Sequence, residues 1–333
     1  MQTRQRITGY LFCTLAMIGV GSTVVASKFI AHGLPPFTAT ALRFAVALPV
    51  FLAIMALTGE RWPRVRRREA VLLIVQSASG SVGYTVLLLC GMRFASATDA
   101  GVIAGTLPAV AALVAVIALR ERPGLMTVIA IGLATAGVLV CSTGSGGGPS
   151  LAENGSASSR WLGNAFVLGA VVCEAVFILL NKRLVTPVSP LQMSTLMTGI
   201  GLAASVVPAL LFERPWTSGF DHEAIAGVIY YALVPTVVGF FLWFAGAARI
   251  AGAQAGALTA FVPISAAAFS ALVLHESIRP AHWWAMGCVL AAVLLIAFEG
   301  AQRAGPEIDR SKRGGCGRND PSIDQRSVPA ESN

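Results

Sequence analysis

The chain has 333 residues, of which 55% are hydrophobic and only 12% are charged, with a formal net charge of +8. This composition excludes an ordinary soluble globular protein and indicates an integral membrane protein. The basic excess lies in loops and in the C-terminal tail, so a nucleic-acid partner is not needed to explain it. The six cysteines show neither a CxxC pair nor metal-ligand spacing, and we therefore expect no disulfide framework, metal site or cofactor.

Ten apolar segments follow one another along the chain. Each is about 19 to 25 residues long, which is enough for a helix to cross a hydrocarbon core of about 30 Å. We predict spans at 7–31, 37–58, 70–92, 98–119, 124–142, 162–181, 190–212, 223–247, 253–274 and 281–299. The fold class expected is an all-α integral membrane protein with ten transmembrane helices.

The distribution of Lys and Arg among the loops predicts the orientation. The loops on the side of the N-terminus hold twelve Lys and Arg residues, five of them within 61–68, against four or five in the opposite loops. Cytoplasmic loops of membrane proteins retain such an excess. We therefore expect a multi-pass protein of the bacterial cytoplasmic (inner) membrane with both termini in the cytoplasm.

The second half of the chain repeats landmarks of the first half at an offset of 154 or 155 residues. The matched pairs are Lys28 with Lys182, Pro36 with Pro190, Pro108 with Pro263, Glu121 with Glu276, and Gly132 with Gly287. Each copy contains five predicted spans, and an odd number forces the copies to cross the membrane in opposite senses. Inverted repeats of this kind are typical of secondary transporters, whose substrate site lies where the halves meet.

This repeat divides the chain into four regions. Residues 1–142 form the first five-helix repeat and 161–300 the second. Between them, 143–160 is rich in Gly and Ser and is predicted to be a flexible external linker. Residues 301–333 are polar and charged, and we expect a disordered cytoplasmic tail.

Pro108 and Pro263 interrupt spans four and nine at matched positions, where proline removes a backbone donor. They are hinge candidates, although merely tolerated prolines fit the pattern equally well. Glu121 and Glu276 lie at symmetry-related helix ends and are interpreted as structural latches to loop residues. Lys28 lies near a span end, where snorkelling towards the membrane surface would explain it.

Together these residues resemble the EamA family of the drug/metabolite transporter superfamily over about residues 7–299. The match rests on two five-span halves with a proline-containing fourth helix that runs to a Glu, on Lys28 and Pro36, and on Arg43 in FTATALRFAV. The resemblance implies a ten-helix inverted-repeat carrier that moves small metabolites, often outward, by alternating access. Glu174 departs from the family pattern, so the resemblance does not supply a substrate class.

Glu174 lies near the midpoint of span six with no other charge within seven residues. A charged carboxylate at that depth costs about 2.5–3.5 kcal/mol, so it must meet a partner, meet water or be protonated. Such a group suits proton coupling or pairing with a cationic substrate group, and a neutral structural Glu is an equally open interpretation. Asn181, seven positions on, shares its helix face.

Arg43 lies in the second turn of span two, about 10 Å below the helix end at 1.5 Å per residue. That is deep for snorkelling, so its side chain should enter a cavity or meet an acid. An anionic substrate group, Glu174 and Asp99 are the candidate partners, and a structural pair inside the bundle is the alternative.

Polar and aromatic residues of several spans are candidates to line a substrate path. The strongest are Thr23, Ser27, Gln76, Tyr84, Tyr231 and Gln254, within a wider set that includes Ser22, Ser79, Tyr230, Thr236 and Trp243. Packing or an interfacial position would also explain the aromatic members, such as Tyr231.

The function predicted from these features is secondary transport of small organic metabolites, with export of amino acids or related compounds as the leading hypothesis. Protons are the candidate coupling ion, and the lipid bilayer is the other partner. A nucleotide-sugar or lipid-linked-sugar carrier is an alternative, because a fold does not set specificity. A membrane enzyme acting on lipid is a weaker one: the four His residues lie at predicted helix ends, and no HExxH is present. We expect no catalytic residues.

Overall fold

A computed structural model describes residues 2–63, 66–119, 124–144, 157–181, 188–213, 221–247, 249–250 and 258–314. Within these ranges the regular secondary structure is entirely helical. The all-helical prediction is therefore confirmed for the part of the chain that the structure describes.

Seven α-helices belong to the first half of the chain. They are α1 (Gln2–Gly33), α2 (Pro36–Thr58), α3 (Arg67–Gln76), α4 (Tyr84–Met92), α5 (Ala97–Gly105), α6 (Leu107–Leu119) and α7 (Leu125–Gly144). A π-helical segment, Ser77–Gly83, joins α3 to α4 in one continuous rod. Proline opens α2, where its missing N–H has no intrahelical partner to lose.

Six α-helices are described in the second half. They are α8 (Ala157–Asn181), α9 (Pro190–Pro208), α10 (His222–Tyr231), α11 (Gly239–Ala247), α12 (Phe261–Val273) and α13 (Pro280–Gly314). π-Helical segments follow α9 at Ala209–Glu213 and join α10 to α11 at Ala232–Val238. Ser189 caps α9, accepting a hydrogen bond from the amide of Gln192.

The last helix differs from the prediction for the tail. α13 continues to Gly314, whereas disorder was expected from residue 301. Ala301 to Ala304 have good helix propensity, and a helix that is already nucleated is extended at little cost. Glu121 and Lys182, like 145–156 of the predicted linker, lie outside the described residues.

Seven of the described helices are long and apolar enough to cross a membrane. The number rises to eight if α5 and α6, which meet at a bend of 47°, form one broken span. Two further apolar helices, Leu125–Val140 and Phe261–Val273, are shorter. These elements coincide with the predicted segments, while their arrangement as ten spans in two inverted repeats stays a prediction.

The helices pack in antiparallel pairs and around two central helices. α2 packs on α9, α5 on α12 and α7 on α13, so each pair joins the first half of the chain to the second. α1 packs against α10, α11 and α12, and α8 packs against α4, α5, α6 and the first π-helical segment. The largest buried apolar cluster lies between these groups and includes Val24, Leu88, Met92, Val167 and Val228.

The break in the fourth span contacts the ninth. Pro108 is the second residue of α6, directly after the bend, and Pro263 is the third residue of α12. A side-chain carbon built on Gly105, just before the bend, would lie 2.8 Å from the ring of Pro263. The helix interruptions near Pro108 and Pro263 are therefore adjacent in space. The hinge role of the two prolines stays a prediction.

Lys28, for which snorkelling was expected, bonds to backbone at the C-terminal end of α4. Its ammonium group donates to the carbonyl oxygens of Met92 at 3.0 Å and Ala95 at 2.6 Å. Backbone carbonyls at a helix C-terminus lack intrahelical partners and carry partial negative charge, so a cation is well placed there.

Candidate functional site

Arg43 of α2 is held inside the bundle by hydroxyl groups of two other helical rods. Its Nε donates to Thr236 Oγ1 at 3.1 Å and its Nη1 donates to Thr85 Oγ1 at 2.7 Å. The guanidinium carbon lies 4.1 Å from the ring centroid of Tyr231 and 5.1 Å from that of Phe44. Both distances are within the range of cation–π attraction, so ring faces and hydroxyls together hold a charge deep in the protein.

The two threonine hydroxyls are fixed as acceptors for this guanidinium. Thr236 Oγ1 donates its proton to the carbonyl of Tyr231 at 2.8 Å, and Thr85 Oγ1 donates to the carbonyl of Ser81 at 2.8 Å. A hydroxyl has one proton to donate, so each threonine presents lone pairs to Arg43. The side chain of Arg43 is thereby held in one orientation.

These threonines lie at two π-helical segments that occupy equivalent places in the halves. Ser77–Gly83 and Ala232–Val238 are 155 residues apart. The second contains Pro235, whose missing N–H and bulky ring favour a widened turn. The first has no proline and is built from small residues, SASGSVG. Arg43 makes its hydrogen bonds to Thr85, just after the first segment, and to Thr236, within the second.

Glu174 lies in α8 and interacts electrostatically with Arg43 and Tyr84. Its carboxylate makes no hydrogen bond to any described residue and forms no direct ion pair with Arg43. The side chain is surrounded by protein and yet keeps part of its surface accessible, as do those of Arg43 and Tyr84.

Tyr84 connects this group of residues to α1. It begins α4 directly after the first π-helical segment, and its side chain lies close to that of Thr23. Thr23 in turn donates to the carbonyl of Val20 at 2.7 Å. Five of the predicted site residues therefore come together, namely Arg43, Glu174, Tyr84, Tyr231 and Thr23; we call them the central cluster.

Other predicted residues occupy different places. Gln76 is fully buried and donates to the carbonyl of Phe177 at 3.4 Å, which ties the first π-helical segment to α8 beside Glu174. Ser79 donates to the carbonyl of Cys173 at 2.9 Å and has the same effect. Ser27 is fully buried, and its Oγ has no hydrogen-bond partner among the described residues.

Two candidates cannot be placed. Gln254 lies outside the described residues, and Asn181 is the last residue of α8, whose side chain the structure does not describe. Thr85 was missed by the sequence analysis, although it follows Tyr84 directly and is almost completely buried. Because threonine is common inside membrane helices, its type alone gives no signal.

Asp99, a candidate partner of Arg43, is engaged elsewhere. Its Oδ1 lies 3.0 Å from Nε2 of His282, and both residues are buried near the start of α5. Among the described residues, this contact is a hydrogen bond that becomes an ion pair when the ring of His282 is protonated. The same part of the chain contains no group of three or more His, Cys, Asp and Glu able to hold a metal ion.

Long apolar helices that enclose a buried cation and a buried carboxylate define a membrane protein with a polar interior, as membrane carriers have. The model of the EamA-like transporter family matches residues 7–143 and again residues 161–298. The chain therefore belongs to the EamA-like transporter family, and it is a multi-pass membrane protein.

Named relatives are transporters. The chain is 29% identical to "Uncharacterized transporter YetK" of Bacillus subtilis, over 90% of this chain and 89% of that one. It is 27% identical to "Probable amino-acid metabolite efflux pump" of Salmonella typhimurium, over 87% of this chain and 92% of that one. A solved crystal structure of another protein has the same fold, with a TM-score of 0.61 and 20% identity, over 89% of this chain and 98% of its own.

Proposed function

We propose that this protein is a secondary transporter that exports amino acids or related small metabolites by alternating access. It has ten spans in two inverted repeats and lies in the bacterial cytoplasmic membrane with both termini in the cytoplasm. Four features support the architecture: the double match to the family model, the spacing of the two π-helical segments, the pairing of α2 with α9, and that of α7 with α13.

The observation that carries the proposed activity is the central cluster. A guanidinium from the first half and a carboxylate from the second lie within electrostatic range of each other without forming a direct ion pair. Arg43 uses two of its five N–H groups on threonines, as far as the described residues show, and the carboxylate of Glu174 has no hydrogen bond in the same part of the chain. A site of this kind suits a solute that carries both charges.

An α-amino acid has these two groups on one carbon. Its carboxylate would accept hydrogen bonds from the remaining guanidinium N–H groups, and its ammonium group would donate to Glu174. The hydroxyl of Tyr84 and the ring of Tyr231 would contact the rest of the solute. The name of the Salmonella typhimurium relative, an amino-acid metabolite efflux pump, agrees with this substrate class.

Glu174 also supplies a route to coupling. A carboxylate at this depth is stable when it is protonated or when it is paired with a cation, and unstable when it is alone and charged. A proton and a substrate ammonium group would therefore compete for the same oxygen atoms. Exchange of one for the other on opposite sides of the membrane would drive export with the inward proton gradient.

The test is a comparison of metabolites in cells that lack the protein and cells that overproduce it. We expect a zwitterionic amino acid or derivative to accumulate inside the first and in the medium of the second. Counterflow of that compound in proteoliposomes should then follow with purified protein alone. An unchanged metabolite profile, together with no counterflow of any zwitterionic amino acid tried, would overturn the proposal.

A further inference from the structure

Two glutamates from the second half of the chain cap helices of the first half with the same geometry. Glu213 accepts hydrogen bonds from the amides of Phe37 at 2.9 Å and Thr38 at 2.6 Å, and from the Thr38 hydroxyl at 2.8 Å. Glu276 accepts bonds from the amides of Ala97 and Thr98, both at 2.9 Å, and from the Thr98 hydroxyl at 2.8 Å. The first cap holds the start of α2, and the second holds the start of α5.

Both caps lie at the end of the bundle where α1 finishes. Phe37 follows the last residue of α1 by four positions, and Lys28 of α1 interacts electrostatically with Glu276. Glu213 closes the rod that begins as α9, and Glu276 follows α12. Each glutamate therefore joins the C-terminal end of one helix to the N-terminal end of an antiparallel partner from the other half.

The opposite end of the bundle carries a related contact, made to the hydroxyl of a capping residue. Glu60 follows α2, and its Oε2 accepts a hydrogen bond from the Ser189 hydroxyl at 2.5 Å; Ser189 is the capping residue of α9. The pair formed by α2 and α9 is thus tied at both ends, by Glu60 at one and Glu213 at the other. A further bond of this type, from Thr127 to Glu299 at 2.5 Å, joins α7 to α13.

The chemistry of these contacts makes them reversible. A helix N-terminus offers unpaired N–H groups and partial positive charge, which a carboxylate satisfies well. Glu60, Glu213 and Glu276 are half-buried at the ends of the bundle, so water can replace the lost hydrogen bonds when a contact opens. A contact between fully buried charges would not open at a comparable cost.

We propose that Glu213 and Glu276 are positioning residues of one gate of the transporter and that Glu60 is the positioning residue of the opposite gate. The first gate is called external because the proposed function includes a topology with both termini in the cytoplasm, and this part of the inference rests on that proposal. The first two contacts open while the Glu60 contact stays closed when the central cluster faces outwards, and the reverse holds when it faces inwards. Alternating access then consists of exchanging helix caps between the two ends.

A cysteine reporter in the central cluster tests this directly. Thr23→Cys, in a background without the native cysteines, is labelled with a permanently charged, membrane-impermeant thiol reagent in right-side-out and inside-out vesicles. Ser81→Cys, a half-buried position one turn before Thr85, is the second reporter if the first does not fold. Labelling needs no substrate, so a failure of the proposed transport activity is read separately from a failure of the gates.

We expect Glu213→Gln and Glu276→Gln to raise external labelling by about three- to tenfold and to lower labelling from the cytoplasmic side, which is the effect of weakening one charged helix cap. Glu60→Gln should shift labelling in the opposite direction. Glu223→Gln is the matched control, because Glu223 is exposed at the start of α10, ten positions after Glu213 in the chain, and it should change neither rate.

A second variant removes the other partner of the same contact. Thr38→Val should change the labelling of the reporter in the same direction as Glu213→Gln. The double variant should show little more change in labelling than either single variant. Three results would overturn the proposal. The first is an equal change in labelling from the two sides of the membrane, and the second is a change in the same direction for Glu213→Gln and Glu60→Gln. The third is unchanged labelling together with a lowered melting temperature. In each case the glutamates would be static helix caps.

Discussion

Arg43 owes its placement to the planar shape of its side chain. Nε and Nη1 donate in different directions within the plane of the guanidinium and reach threonines on two different helical rods, while the ring of Tyr231 covers a face of the group. A lysine ammonium group is a point charge that has no plane in which to donate hydrogen bonds while a ring covers its face. The site therefore selects arginine over other cations.

We predict that Arg43→Ala and Arg43→Lys both insert normally and that Ala lowers the initial transport rate by more than about tenfold, since hydrogen bonds to a charged group contribute about 1.5–3 kcal/mol. Lys should restore only part of the rate. The measurement is uptake into proteoliposomes at equal amounts of reconstituted protein. Arg93→Ala is the control, because Arg93 is exposed at the end of α4. Normal flux in Arg43→Ala would show that the residue has a structural role only.

The depth of Arg43 and Glu174 could be predicted from hydropathy, because a charged residue inside a long apolar segment must lie within the part of the helix that spans the membrane. Their partners could not be predicted. Asp99 contacts His282, which lies 183 positions further along the chain. Lys28 donates to helix carbonyls that no local sequence pattern indicates. Such pairs depend on which helices become neighbours, and the sequence of one helix does not contain that information.

At the scale of the helices, the first π-helical segment and α8 approach each other closely. The buried Gly80 faces Phe177, and Gln76 and Ser79 bond to carbonyls of α8 on either side of Glu174. The absence of a side chain at Gly80 lets the two helices approach. This contact sets the position of Glu174 relative to Arg43, so packing between helices determines the geometry of the charges.

We predict that Gly80→Ala is destabilising, because the added carbon would lie 2.4 Å from the Cβ and Cγ atoms of Phe177, next to its backbone. Overpacking of this kind costs about 1–3 kcal/mol, which should appear as a lower melting temperature in detergent. Gly132→Ala is the matched control in α7, where an added carbon meets nothing within 4 Å, and it should be neutral or slightly stabilising. Equal melting temperatures for the two variants would contradict this account of the contact.

The ends of most helices were predicted within a few residues, since hydropathy, proline at the first helical position and glycine after the last are local signals. The π-helical segments were not predicted. Pro235 offers a hint for the second segment, but the first consists of small residues that also occur in regular helices. The caps by Glu60 and Glu213 were likewise missed, because each requires a helix end and a carboxylate more than 100 positions apart.

The whole molecule combines helix pairs that cross from one half of the chain to the other with a central cluster to which both halves contribute. α2 with α9, α5 with α12 and α7 with α13 are such pairs. Two halves of five spans with opposite orientation would place the central cluster near the middle of the membrane. The charge bias of the loops then predicts which end faces the cytoplasm.

We predict that single cysteines or reporter fusions within 143–160 are reached from outside the cell and that those within 61–68 are reached only from inside. The C-terminus should behave like 61–68. An external C-terminus would contradict ten spans and with them the inverted-repeat arrangement, whereas agreement of all three positions would establish the orientation on which the two gates are named.

The most direct measurement is pH-driven flux of Glu174→Gln in proteoliposomes, beside the wild-type protein at equal reconstituted amounts. Gln has the shape of the protonated acid and cannot take up or release the proton, so the fold should persist while the response of flux to a pH gradient disappears. We expect the wild-type protein to accumulate its substrate when a proton gradient is imposed and the variant to show no such accumulation. Unchanged pH-driven accumulation by Glu174→Gln would contradict the account, and Glu174 would then be a packing residue.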